Sequence, residues 1–528
     1  MEANFSLITQ LLIFIVFVFM ASQCYRRRKH SVLHCAALPP GPKPWPIVGC
    51  LPPMLATNSP KYQWIHAVMK QFNSEIACIR LGNTYIIPVT SPELALEFLK
   101  TYDSAFSSRP VHQTINILTN GFLGTIFSPM GDQWKKMRRI LASQIFSSST
   151  LQRMIGHRTD EADTLLRYIF SLTTTNTSNK GNAVVNVRSV TQHYSGNIIR
   201  RMLFNRRYYG KGREDGGPTT EEEEHNQALL TILRHVNAFS ILDFMPCLKP
   251  FDLDGHEKTM KKALEVLRKY DEPIINKRVH QWKDGKREGV EDILDILISL
   301  QDENKRMLLS IEEIKAQTME LQLAMIDNPS NAVEWTIAEL LNQSKILQKV
   351  IEEMDRIVGR DRLVQESDIP KLKYLTACVR ESFRLHPFSP FNVPHVSNSD
   401  IIVAGYFIPK GSEVVLSRLG LGRNTRIWKD PMRFDPERHL KDGTVEFGLS
   451  EPSLRFISFS RGRRGCVGSS LGTSITMMLF ARLLQGFSWN LLPGTTKVGF
   501  SESDELCLSK PLHLHAKPRL FHIMYATC

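Results

Sequence analysis

The chain has 528 residues, of which 42% are hydrophobic and 23% charged, an ordinary globular composition that excludes wholesale disorder, a collagen-like fibre and a multi-span membrane protein. The 66 basic and 53 acidic residues give a net charge of +13, but the basic residues are spread along the chain with no aromatic-studded basic stripe, which argues against nucleic acid as a partner. Nine cysteines with no Cys-x-x-Cys pair argue against a disulfide scaffold and a clustered zinc site, and for a reducing compartment.

Phe5 to Ala21 is apolar except for Ser6, Thr9 and Gln10, and Arg26, Arg27, Arg28, Lys29 and His30 follow it. At about 1.5 Å per residue the run is just long enough to cross a hydrocarbon layer of ~30 Å. A cleaved signal peptide carries its positive charge before the apolar run, whereas here Glu2 precedes it and the basic cluster follows. Residues 1–25 are therefore expected to be an uncleaved single-pass signal anchor, with the body in the cytosol. Residues 26–50 read as a basic, proline-rich hinge, stiffened by the prolines from Pro39 to Pro46. Residues 51–528 read as one domain.

Ile76 to Leu81 and Tyr85 to Val89 are short β-branched runs around Gly82-Asn83, a hairpin signal. Ser91-Pro92-Glu93 opens a helix with a cap, a first-turn proline and an acid near the N-terminus. From about 130 to 385 the periodicity is helical, with polar loops expected at 173–182 and 210–224 and with Glu221 to Glu224 on a solvated loop edge. A second hairpin is expected over 401–416, turning at Lys410-Gly411-Ser412. The fold class that follows is mainly α with small β-sheets.

Chemistry shows most clearly at Phe459-Ser460-Arg461-Gly462-Arg463-Arg464-Gly465-Cys466-Val467-Gly468, ahead of a helix from about Ser469 to Leu484. Neighbouring cations and a helix N-terminus favour the thiolate of Cys466. The glycines let backbone N–H groups and a flat cofactor come close, and Arg464 suits a cofactor carboxylate. Ser310-Ile311-Glu312-Glu313 is a capping box that opens a long helix. Inside that helix stand Asp327, Asn328, Pro329, Ser330 and Asn331, and Pro329 is expected to kink it.

These residues resemble the cytochrome P450 superfamily. Its F-x-x-G-x-R-x-C-x-G pattern is met at Phe459, Gly462, Arg464, Cys466 and Gly468. Its E-x-x-R is met at Glu381 and Arg384, with Arg438 in the following Phe434–His439 string, and its W-x-x-x-R at Trp134 and Arg138. The run Asp327-Asn328-Pro329-Ser330-Asn331-Ala332-Val333-Glu334-Trp335 is similar to the plant amino-acid N-hydroxylases that form aldoximes. So are the strings at 386–396, 436–439 and 458–466. Two departures stand out: Met325, where a small residue is usual, and Arg461, where a small polar one is expected.

The resemblance implies the P450 fold behind the membrane anchor and a haem b ligated by Cys466. Trp134, Arg138, His395 and Arg464 would surround its propionates, with Phe459, Gly462 and Gly468 shaping the cysteine loop. Glu381, Arg384 and Arg438 would form a buried ion network behind the haem. Asp327, Asn328, Ser330 and Asn331 would position water and protons on the distal side. The implied substrates are an α-amino acid and dioxygen. Electrons would come from NADPH through a separate reductase docked on a basic face of Lys135, Lys136, Arg139, Arg461 and Arg463. The implied reaction is two N-hydroxylations followed by dehydration and decarboxylation to an aldoxime, in glucosinolate or cyanogenic-glucoside type plant defence, at the endoplasmic reticulum membrane. Two other readings stay open from the residues: a C–H hydroxylase of a lipid or terpenoid on the same fold, and a catalytically silent haem-thiolate protein.

Overall fold

The computed structural model describes residues 36–175, 183–440 and 448–526. The apolar run at 5–21, its basic cluster and most of the 173–182 loop lie outside the described residues. Among the described residues no helix is long and apolar enough to cross a membrane. From residue 36 the proline-rich segment is docked on the body. The Pro40 carbonyl accepts from Cys78 N at 2.9 Å, and Phe407 N donates to the Ala37 carbonyl at 2.9 Å.

Small sheets flank a helical body. Strands β1 (Ile79–Leu81) and β2 (Thr84–Val89) form the first expected hairpin, closing Leu81 against Thr84. The helices that build the site are α1 (Asp132–Ile140), α2 (Ile155–Thr175), α3 (Val187–Phe204), α4 (Thr220–Asn237), α5 (His256–Lys283), α6 (Ile311–Ile326), α7 (Asn328–Asn342), α8 (Lys373–Leu385) and α9 (Ser469–Gly486). Strand β3 (Ala183–Asn186) pairs with β9 (His513–Pro518), which also pairs with β8 (Phe487–Asn490).

The second hairpin differs from expectation. Strands β5 (Ile401–Val403) and β6 (Tyr406–Ile408) close on Ala404-Gly405, both at positive φ (49° and 81°), and not on Lys410–Ser412. A two-residue turn with both φ positive matches the twist of paired strands. Ala404 hides that signal, because alanine seldom adopts the left-handed region. After Gly411 the chain crosses to the other sheet, where β7 (Glu413–Leu416) pairs in parallel with β2 and antiparallel with β4 (His395–Val396).

Glu221 to Glu224 also differ from expectation: they form the first turn of α4, not a loop edge. Glu222 accepts a hydrogen bond from Thr219 N at 3.2 Å in a capping box, and acids in a first turn suit the helix dipole. The expected kink is present: α6 ends at Ile326 and α7 starts at Asn328, with Pro329 in its first turn. The α6–α7 pair lies on α3, and α7 also packs on α8 and α9. Val333, Trp335, Ile475, Leu479 and Phe480 belong to the largest apolar cluster at this crossing.

Candidate active site

The cysteine loop is held by its own backbone. Cys466 N donates to the Phe459 carbonyl at 2.8 Å and Gly465 N to the Gly462 carbonyl at 2.9 Å. Gly462 has φ 80°, and a Cβ there would lie 2.4 Å from Asp103 Oδ1 and 2.5 Å from the Leu99 carbonyl. Only glycine fits that close approach. Phe459 covers Gly472 in the first turns of α9, and Gly468 caps that helix. The side chain of Cys466 is accessible although it lies deep in the body, so it borders an internal space. Burial pushes its thiol up, by more than the Gly468 amide and the charges of Arg138 and Arg418 pull it down. Nearby charge and an amide at the helix N-terminus favour the thiolate, as expected, and burial works against them.

Around this loop stand three arginines and a histidine without carboxylate partners. Arg464 Nε donates to the Ser107 carbonyl at 2.6 Å and Nη2 to the Ser128 carbonyl at 2.7 Å, while its guanidinium stacks 4.3 Å from the Trp134 ring centroid. Arg138, one turn further along α1, donates to the Gly465 carbonyl at 2.8 Å. Arg109 reaches the carbonyls of Ile126, Val393 and Pro394. His395 Nδ1 donates to the Phe106 carbonyl at 2.9 Å. Among the described residues none of these four is ion-paired to a carboxylate. Burial brings Arg464 down to about 10, and burial together with neighbouring guanidinium groups pushes Arg109 and His395 well below their usual ranges.

The distal helix is tied to the cysteine loop through one residue. Glu320 on α6 accepts from Thr125 N at 2.6 Å, and Arg464 donates to the Thr125 carbonyl at 3.3 Å. Further along, Asn328 Nδ2 donates to the Ala324 carbonyl at 3.0 Å, a side-chain cap at the helix break. Asp327 and Ser330 turn to α3: Gln192 donates to Asp327 Oδ1 at 3.3 Å, and the Ser330 hydroxyl bonds Thr191 at 2.5 Å. Burial raises the Asp327 carboxyl. Asn331 is buried with neither end of its amide partnered. Met325 packs on the main apolar cluster, while Ala324 is exposed amid buried neighbours.

A cavity of about 290 Å³ opens beside this region, lined by Arg109, Phe127, Phe388, Phe391, Val393 and Glu505 among others. No residue of α6 or α7 is among its lining. Arg234 and Phe239, at the end of α4 and just beyond it, also line the cavity and were not foreseen.

The expected ion network is present and larger than foreseen. Arg384 donates to Glu381 through Nε at 2.8 Å and Nη2 at 2.7 Å, and Arg438 Nε lies 3.3 Å from the same carboxylate. His439 Nε2 donates at 2.9 Å and Asp435 N at 2.9 Å. Burial raises the Glu381 carboxyl, but the bonds from Arg384 and His439 outweigh it and hold it at about 2.

A sequence model of the cytochrome P450 family matches residues 39–516. The chain belongs to the cytochrome P450 family. It is 53% identical to a tryptophan N-monooxygenase of Prunus mume, over 96% of this P450 and 95% of that relative. It is 51% identical to isoleucine N-monooxygenase 1 of Lotus japonicus, over 98% and 96%. It is 48% identical to a phenylalanine N-monooxygenase of Arabidopsis thaliana, over 98% and 99%.

Membership implies a haem with a cysteine thiolate, and the residues present fit one. An accessible cysteine deep in the body and a set of buried, uncompensated arginines suit a flat metal cofactor that carries two carboxylates. One charged residue beside the cysteine loop of this P450 escaped sequence reasoning, Arg418. The signal for Arg418 was a lone charge in the apolar run from Val414 to Leu421.

Proposed function

We propose that this P450 converts an α-amino acid to its aldoxime by two N-hydroxylations, dehydration and decarboxylation. The relatives are named for tryptophan, isoleucine and phenylalanine, which share only the α-amino and α-carboxyl groups. The observation that carries the reading is the distal break, where Asn328 uses its amide to cap the helix and supplies no hydroxyl.

The haem, when bound, supplies oxygen activation, with electrons from NADPH through a separate reductase. Cys466 would hold its iron. Arg464, Arg138, Arg109 and His395 are the residues that would hold its carboxylates. Burial raises the Asp327 carboxyl and Gln192 orients it, which suits it to handling a proton. Ser330 is spent on Thr191, so Asn331, with both amide groups open, is the water-positioning residue of the pair. Phe127, Phe388, Phe391 and Val393 form the apolar wall for the amino-acid side chain. The apolar run at 5–21 and the basic cluster behind it anchor the chain in the endoplasmic reticulum membrane, with the body in the cytosol.

The test is a mass-spectrometric search for aldoximes. Microsomes holding this chain and a plant reductase receive NADPH and a pool of protein and chain-elongated amino acids. An NADPH-dependent aldoxime is expected, and its side chain identifies the substrate. NADPH-dependent alcohols and no aldoxime, from microsomes that keep a thiolate-haem carbon monoxide band, would refute the N-hydroxylase reading.

A further inference from the structure

An amino acid that enters the cavity of about 290 Å³ brings a carboxylate into a space walled largely by aromatic and aliphatic side chains. That charge needs a partner, because a buried ion without one is costly. Among the described residues the basic side chains that line the cavity are Lys61, Arg109, His112 and Arg234. Three of them are already committed. Lys61 Nζ donates to the Met54 and Thr57 carbonyls, both at 3.2 Å. Arg109 donates to the carbonyls of Ile126, Val393 and Pro394 and is among the residues that would hold the haem carboxylates. His112 Nε2 lies 2.8 Å from Glu413 Oε1, and its Nδ1 lies 3.7 Å from Asp243.

Arg234 is left with spare capacity. It stands in the last turn of α4, and its Nε lies 3.8 Å from Glu505 Oε1, beyond hydrogen-bond length. Among the described residues its guanidinium makes no hydrogen bond, so the paired Nη groups are open. Glu505 is placed by its neighbour: Leu506 is fully buried, and its carbonyl accepts from Trp335 Nε1 on α7 at 2.9 Å. A bridge between Glu502 and Leu508 closes the loop that carries both. The loop thus holds Arg234 at the cavity wall without saturating it. Asp504, also in this loop, is exposed to solvent, where its field is screened. Val236 and Phe239, just beyond Arg234, line the same cavity. A guanidinium with an open fork beside an apolar wall can take a carboxylate in two parallel hydrogen bonds.

We propose that Arg234 receives the α-carboxylate of the amino-acid substrate and so makes this P450 prefer free amino acids to their esters. This rests on the amino-acid reading above. Glu505 keeps its place beside Nε, and the substrate carboxylate takes Nη1 and Nη2. The side chain of the substrate then lies along the apolar wall of the same cavity.

The test titrates the full-length holoenzyme with two ligands. One is the amino acid whose aldoxime the parent forms. The other is its methyl ester, which keeps the side chain and the amine and loses the negative charge. Binding is read from the shift of the haem absorption band. The variant is Arg234→Gln, which keeps a neutral donor; Arg234 is 56% exposed, so the fold does not depend on it. Losing one charge-assisted pair from one ligand alone shifts Kd roughly tenfold. The parent should bind the acid more tightly than the ester by about that factor. Arg234→Gln should lose the preference through weaker binding of the acid, with the ester held as in the parent. Equal weakening of both ligands would assign Arg234 to the shape of the cavity and overturn the proposal. A parent that binds acid and ester alike would overturn it too. A parent that forms no aldoxime overturns the amino-acid reading and this role with it. A parent that forms an aldoxime, with acid binding unshifted in Arg234→Gln, overturns Arg234 alone.

Discussion

Glu381 accepts hydrogen bonds from Arg384, His439 and Asp435 N and is fully buried. Glu381→Gln leaves the buried Arg384 guanidinium without its carboxylate, and a broken buried pair costs about 3–5 kcal/mol. Denaturant unfolding of the variant measures it, and a loss under about 1 kcal/mol would refute the account. The pH dependence has a definite sign. The carboxyl is held at about 2 in the folded chain, below its unfolded value. Its contribution, on the order of 3 kcal/mol, is therefore complete above about pH 4.5 and is lost as pH falls towards 2. The acid limb of the stability curve should flatten in Glu381→Gln, and parallel limbs would exclude this carboxyl as its source. The Glu381–Arg384 pair was legible only through the family resemblance, because the same i,i+3 spacing also occurs at Glu265/Arg268, Glu303/Arg306 and Glu353/Arg356. Arg418 was not, because one residue has no period and its environment comes from chain segments far apart in sequence.

The break between α6 and α7 was also legible, since a proline removes its own N–H wherever it stands in a helix. What the sequence hid was the repair: Asn328 Nδ2 caps the Ala324 carbonyl. Asn328→Ala should remove that bond at an accessible carbonyl and cost about 0.5–1.5 kcal/mol. Pro329→Ala should restore a donor toward the Met325 carbonyl and straighten the turn that carries Asp327. NADPH oxidation is then expected to continue while aldoxime per NADPH falls severalfold. Coupling equal to the parent's would show that the kink is dispensable. Capping boxes and prolines are readable because their partners are three or four residues away. The parallel pairing of β2 with β7 and the Ala404-Gly405 turn depend on which distant strand arrives, and local pattern does not encode that.

The net charge of +13 is distributed unevenly in its effect. Five basic residues were expected to form the face that receives a reductase, and the fold spends several of them. Lys136 turns to Glu313 on α6, Lys135 pairs with Asp132 at 3.1 Å and Arg463 with Asp103 at 2.8 Å. Arg139 has no ion pair among the described residues, and Arg461 meets only the Pro452 carbonyl. Long-range attraction to an acidic partner then falls mainly on Arg139 and Arg461. Such steering weakens as the screening length shortens to about 8 Å at physiological ionic strength. Arg139→Glu and Arg461→Glu should each slow first-electron delivery from the reductase severalfold at low salt, and less so as salt rises, while the amino-acid KM stays at the parent value. Stopped-flow reduction under carbon monoxide measures the rate. If Lys135→Glu slows it more than either, docking follows the paired charges, and the assignment to Arg139 and Arg461 fails.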